Sequence, residues 1–149
     1  MNQPFSFPSE SSCTQVQLRV RLCETDLMGI VHHSQYLAYC EAARVEWLRR
    51  RGALYADWAA QGIHLPVVQM HVRYRHPARF DDVLDVETTL VNLRAASVRF
   101  DYRILRKATV LCEAWTWLAY VDDTLTVRRF NEKMRKVFCA PEQTLEKTD

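Results

Sequence analysis

The chain has 149 residues, of which 48% are apolar and 26% charged, and its formal net charge is +2. That length suits one domain able to bury about two-thirds of its unfolded surface, the composition excludes a disordered or fibrous chain, and so small a charge excludes the basic footprint of a nucleic-acid binder. No tract approaches the roughly 18 consecutive apolar residues of a membrane span, and the N-terminus lacks a basic patch ahead of an apolar stretch, so a cytoplasmic protein is expected.

Residues 1–14 read as a flexible polar arm, residues 15–140 as a single domain and residues 141–149 as a tail. Within the domain, Val16, Leu18, Val20 and Leu22 alternate with Gln17, Arg19 and Arg21, the two-residue period of a half-buried strand. The next stretch, Thr25 to Tyr36, holds a carboxylate at Asp26, a glycine at Gly29 and two imidazoles at His32 and His33. After it Tyr36, Tyr39, Cys40, Ala43, Trp47 and Leu48 recur at three- and four-residue spacing as far as Gly52, which predicts an amphipathic helix stopped by glycine. Arg49, Arg50 and Arg51 fall at its negative end. The pattern therefore places Asp26 at a strand end and the N–H groups of His33 and Ser34, unpaired donors, at a helix start.

Further along, Ala53 to Gln61 predicts a short helix before Gly62. Between His64 and His76, Val68, Met70, Val72 and Tyr74 alternate with polar residues, and Pro77 then interrupts pairing. Val83 to Leu93 and Ala96 to Leu105 predict two more strands, bent apart at Asn92 to Ala95. Thr109 to Val121 is apolar and aromatic enough for a central or well-covered strand. Leu125 to Val127 predicts an edge strand, and Asn131 to Phe138 a terminal helix capped by Asn131. One strand, one long helix and four or more consecutive strands argue for an α+β fold, a helix laid across a curved antiparallel sheet. No repeat or linker divides the chain.

The loop suggests a chemistry. Donors fixed at a helix start can hold an oxygen that becomes negative, each worth about 3–4 kcal/mol, while a nearby carboxylate activates the attacker. A thiol with a pKa of about 8.5 leaves far more readily than an amine, so a thioester suits so small a set of groups. Asp26 also fits the ordinary part of a turn residue. Adjacent histidines without a third well-spaced ligand do not build a metal site, and Cys13, Cys23, Cys40, Cys112 and Cys139 are scattered with no C-x-x-C. Neither a metal, a disulfide framework nor a redox cofactor is expected.

The run Thr25-Asp26-x-x-Gly29-x-Val31-x-His33-x-x-Tyr36, followed by Glu41-x-x-Arg44-x-Glu46-Trp47-Leu48, resembles the hot-dog-fold acyl-CoA thioesterases. Among these it looks like the 4-hydroxybenzoyl-CoA thioesterase family, including its short-chain and Tol-Pal-associated members. The likeness continues through Tyr74-x-x-Pro77-Ala78-Arg79-Phe80-Asp81-Asp82, Ser97 to Phe100 and Tyr120-Val121-Asp122.

The resemblance implies a sheet wrapped around one long central helix and subunits joined edge to edge as a homodimer or homotetramer, with sites between subunits. It implies hydrolysis of an acyl-CoA, with Asp26 as general base or nucleophile and a main-chain N–H at the helix start as oxyanion donor. His33 is the second catalytic candidate, through its N–H or its ring. Gly29, Ile30, Val31, Tyr36 and Arg79 are expected to bind substrate. Arg73, Arg75 and Arg99 fit coenzyme A phosphates or solvated strand faces. Glu41 and Glu46 are fallback bases, although Glu41 and Arg44 also have ion-pair spacing, and Trp115 and Trp117 read as core or subunit contact. An acyl-carrier-protein thioesterase and a non-catalytic acyl-CoA binder stay open beside the acyl-CoA hydrolase.

Overall fold

The computed structural model describes residues 12–143. Its elements are β1 (Cys13–Arg19), a 3-10 turn (Leu22–Glu24), α1 (Gln35–Arg49), α2 (Tyr55–Ala60), β2 (Val67–Tyr74), β3 (Val83–Leu93), β4 (Ser97–Arg106), β5 (Thr109–Ala119) and α3 (Glu132–Cys139). The five strands form one sheet in the order β1-β3-β4-β5-β2, antiparallel at every pairing. The chain opens on one edge, crosses through α1 and α2 to lay β2 on the other edge, and fills the middle with the β3-β4-β5 meander.

Alternation decides the faces. Leu84, Val86, Thr88 and Leu90 of β3, Val98, Phe100, Tyr102 and Ile104 of β4, and Cys112, Ala114, Thr116 and Leu118 of β5 are buried. Against them α1 lays Tyr36, Tyr39, Cys40, Ala43, Trp47 and Leu48, the set its spacing predicts. Trp47 meets Phe100 edge-on at 5.0 Å. At the far end, α3 is capped by the Asn131 side chain, which accepts from the Met134 N–H at 2.9 Å, and inserts Phe138 between Trp58 and Phe130.

Several boundaries differ from expectation for local reasons. β1 begins at Cys13, inside the stretch assigned to the arm, whereas residues 1–11 and 144–149, the remainder of the arm and most of the tail, lie outside the described residues. The same strand stops at Arg19, because the Glu24 carboxylate turns back to accept the Arg21 N–H at 2.7 Å and curls Leu22–Glu24 into the 3-10 turn. Leu22 is thereby exposed and Glu24 buried. Leu125 to Val127 contributes an isolated bridge, Val121 with Val127, instead of an edge strand. Trp115 and Trp117 face away from α1, each under a guanidinium, Arg99 at 4.7 Å and Arg94 at 4.1 Å.

The arginine run at the end of α1 also divides. Arg49 and Arg50 pair with Glu46. Arg51 instead turns inward over the Trp47 ring at 3.7 Å and donates to Thr14 Oγ1 and the carbonyls of Trp47 and Ala140. Burial holds that guanidinium at a pKa of about 10.

Candidate active site

Asp26 stands in a loop that closes on itself. Thr25 and Val31 meet in an antiparallel bridge, the Asp26 N–H donates to the Ile30 carbonyl at 2.9 Å, and the Gly29 N–H donates to the Asp26 carbonyl at 3.0 Å. Gly29 takes φ +76°, a left-handed conformation that a side chain disfavours. Asp26 therefore follows a 3-10 turn and a bridge, not a strand end as expected. Its Oδ1 accepts the Met28 N–H at 2.8 Å, while Oδ2 has no partner among the described residues. One carboxylate oxygen orients the side chain and the other is available.

The start of α1 supplies the second component. The Gln35 N–H donates to the His32 carbonyl at 2.9 Å, and the Ser34 N–H is directed at His32 Nδ1 at 3.3 Å. The His33 N–H has no hydrogen-bond partner among the described residues. Of the two donors expected here, one is engaged and one is free. The His33 ring stacks obliquely on His32, centroids 4.2 Å apart.

Two tyrosines connect these pieces to the sheet. Tyr36 Oη accepts the buried Ala78 N–H at 3.1 Å, and the Ala78 carbonyl accepts the Val31 N–H at 2.8 Å. One alanine thus ties both the aspartate loop and α1 to the segment after β2. Tyr74, the last residue of β2, packs edge-on against Tyr36 with centroids 5.2 Å apart and donates its hydroxyl to the His33 carbonyl at 2.8 Å. Burial raises the pKa of both phenols above the ordinary tyrosine value, so both stay protonated near neutrality.

A cleft of about 310 Å³ joins these groups. Of the predicted residues, Asp26, Ile30, Val31, His33 and Tyr36 line it. Gly29 and Arg79 stand beside it instead, with Arg79 Nη1 3.5 Å from the Gly29 carbonyl. Met28, Tyr74, Arg75, His76 and Pro77 complete the lining. Tyr74 shares the inward register of Met70 and Val72 on β2, a signal present in the sequence.

 
On that strand Met70, Val72 and Tyr74 fall on one face, the side turned toward α1, and the alternation alone carries this placement. Arg75 is already paired with Glu113 at 2.7 Å. The fallback carboxylates stand elsewhere: Glu46 is engaged by Arg49 and Arg50, Glu41 lies 4.0 Å from Arg44, and neither lines the cleft. Among the described residues no three His, Cys, Asp or Glu side chains converge in a metal-binding cluster.

A five-stranded antiparallel sheet with α1 laid on it is the hot-dog fold, shared with solved thioesterase structures. The family described as the thioesterase-like superfamily matches residues 20–146, and the chain belongs to it. It is 36% identical over 106 residues to the acyl-CoA thioester hydrolase YbgC of Escherichia coli O6:H1, covering 70% of this chain and 79% of that protein. Among solved structures, a hypothetical protein from Thermus thermophilus superposes with a TM-score of 0.81 at 36% identity, over 85% of this chain and 95% of that one. A mutant 4-hydroxybenzoyl CoA thioesterase complexed with 4-hydroxybenzoyl CoA shares the fold, with a TM-score of 0.79 at 18% identity over 87% of this chain and 99% of that one.

Proposed function

We propose that this thioesterase hydrolyses an acyl-CoA to free acid and coenzyme A, with Asp26 as general base or nucleophile and the His33 N–H as oxyanion donor. The observation that carries the reading is the meeting, in one cleft, of an unpaired Asp26 oxygen and an unpaired main-chain N–H at a helix start. As base, Asp26 takes a proton from water while the hydroxide adds to the thioester carbon. The oxyanion is held by the His33 N–H, the C–S bond breaks, and the thiolate leaves and is protonated. As nucleophile, the carboxylate adds to the same carbon, expels the thiolate and forms a mixed anhydride that water opens. Both routes need the same two groups.

The resemblance to YbgC supports coenzyme A as the carrier. Assembly is part of the proposal: β2 is an edge strand, with Val67 at 44% and Val68 at 61% exposure, so a second copy pairing there would extend the sheet and border the cleft through Tyr74. The test is chromatographic release of free acid from hexanoyl-CoA, benzoyl-CoA and the matching acyl-carrier-protein conjugates. Acid from the CoA esters at higher kcat/KM is expected. Preference for the carrier-protein conjugates would reassign the substrate, and retention of intact ester without turnover would make the protein a binder.

A further inference from the structure

We propose that Tyr74 is a positioning residue for thioester hydrolysis, its hydroxyl fixing the first turn of α1 so that the His33 N–H is presented to the substrate carbonyl. The inference rests on the oxyanion role given to His33 above.

Two peptide planes flank the His33 Cα. In the first, between His32 and His33, the carbonyl accepts the Gln35 N–H at 2.9 Å and the free donor is the His33 N–H itself. In the second, between His33 and Ser34, the carbonyl accepts the Tyr74 hydroxyl at 2.8 Å, and the N–H makes the long 3.3 Å contact to His32 Nδ1. Each plane is rigid and the two meet at the His33 Cα, so holding both fixes the His33 backbone dihedrals and limits movement of the first turn that carries the free N–H. The Gln35 bond is local and belongs to the helix start. Tyr74 alone, among the described residues, ties the second plane to the sheet.

Tyr74 suits this part. It ends β2 and lines the cleft beside Asp26, and its ring is steadied edge-on by Tyr36, whose own hydroxyl oxygen is fixed by Ala78. The phenol keeps its proton at neutral pH, as an ordinary tyrosine does, and burial raises its pKa further. Oxyanion stabilisation requires donors set before the charge develops, and small misplacements at such sites are costly in rate. Without the hydroxyl, the second plane keeps only the 3.3 Å contact to His32 Nδ1, and the first turn loses its tie to the sheet.

The experiment compares wild type, Tyr74→Phe and Asp26→Asn, using whichever of hexanoyl-CoA and benzoyl-CoA the wild type hydrolyses faster. It adds the affinity for the corresponding ketone analogue, in which a methylene replaces the thioester sulfur, and the Tm of each protein. The phenylalanine ring preserves the contact with Tyr36, so folding is retained. A tenfold or greater fall in kcat for Tyr74→Phe, with analogue affinity and Tm within error of wild type, is expected. A kcat within twofold of wild type overturns the inference, as does a fall matched by equal losses in affinity and Tm, since that is the mark of a merely structural contact. Loss of activity in Asp26→Asn but not in Tyr74→Phe removes the role of Tyr74 and leaves the site reading intact. An unimpaired Asp26→Asn, or a wild type inert on both esters, removes that reading and the inference with it.

Discussion

Replacing Tyr36 with phenylalanine tests how the site is held together. The substitution deletes one oxygen that accepts the Ala78 N–H at 3.1 Å, where Ala78 is fully buried and Tyr36 is 3% exposed. Ala78 has no solvent exposure, so its N–H is left without a partner inside the fold. Losing a buried hydrogen bond and leaving one partner unsatisfied costs about 1–3 kcal/mol, partly offset because the phenol oxygen no longer has to be buried. At about 2–4 °C per kcal/mol for a chain of this size, the expected fall in Tm is roughly 2–12 °C. Chemical denaturation should show the same loss as a lower midpoint with an unchanged slope. The damage should also reach the chemistry, since the Ala78 carbonyl holds Val31 at the end of the aspartate loop. Tyr74→Phe is the control: its bond is exposed to solvent, so Tm should hardly move. Equal stability of wild type and Tyr36→Phe would refute the claim that Ala78 is the anchor of the loop.

Other outcomes follow from the same contacts. Burial pushes the Cys40 and Cys112 thiols up to about 12, whereas Cys23 is exposed; iodoacetamide at mildly alkaline pH should label Cys23 in the native protein and reach the other two only after denaturation, as read by peptide mass spectrometry. The raised thiols and tyrosines bind their protons more tightly when folded, so stability should decline as pH rises from about 9. Asp82 behaves oppositely: burial disfavours its charge, but the Arg106 ion pair and the Arg79 N–H outweigh this and hold its carboxyl below the ordinary value. Asp82→Asn should therefore cost about 1 kcal/mol at neutral pH, and its deficit should vanish as pH falls below about 4, measured by urea denaturation across pH. Val68→Lys on the β2 edge should shift a wild-type dimer or tetramer to smaller species by light scattering, and a monomeric wild type would remove the edge-pairing proposal.

Much of the fold was readable because period and face coincide. The apolar spacing from Tyr36 to Leu48 names the residues that α1 buries, and the alternation through β3, β4 and β5 names the sheet's inner side. Where reading failed, a side chain had competed with the backbone pattern. Leu22 continues the alternation of β1, yet the Glu24 carboxylate caps the Arg21 N–H and turns the chain first. Of the two readings of Trp115 and Trp117, core or subunit contact, the first does not hold: their register is odd with respect to Thr116, and the guanidiniums of Arg99 and Arg94 lie over them on the outer side. Arg51 reads as a surface cation at a helix end and is instead buried over Trp47 by three hydrogen bonds.

The candidate site divides the same way. Asp26, Ile30, Val31, His33 and Tyr36 are local to one motif, and the cleft gathers them. Tyr74, Arg75, His76 and Pro77 come from the end of β2, more than thirty-five residues away in sequence, and their arrival depends on β2 crossing to the far edge of the sheet. No local spacing encodes that crossing. Likewise, which of the amides at the helix start remains free depends on the His32 ring accepting from Ser34, a matter of side-chain conformation.

In the proposed mechanism the Asp26 carboxylate performs the hydrolysis. Its most direct test is the steady-state rate of Asp26→Asn on an acyl-CoA that the wild type turns over, with folding checked by circular dichroism. A fall of at least about a hundredfold in kcat is expected from loss of a base or nucleophile, with substrate still bound. A folded Asp26→Asn protein that releases free acid at the wild-type rate would contradict the account.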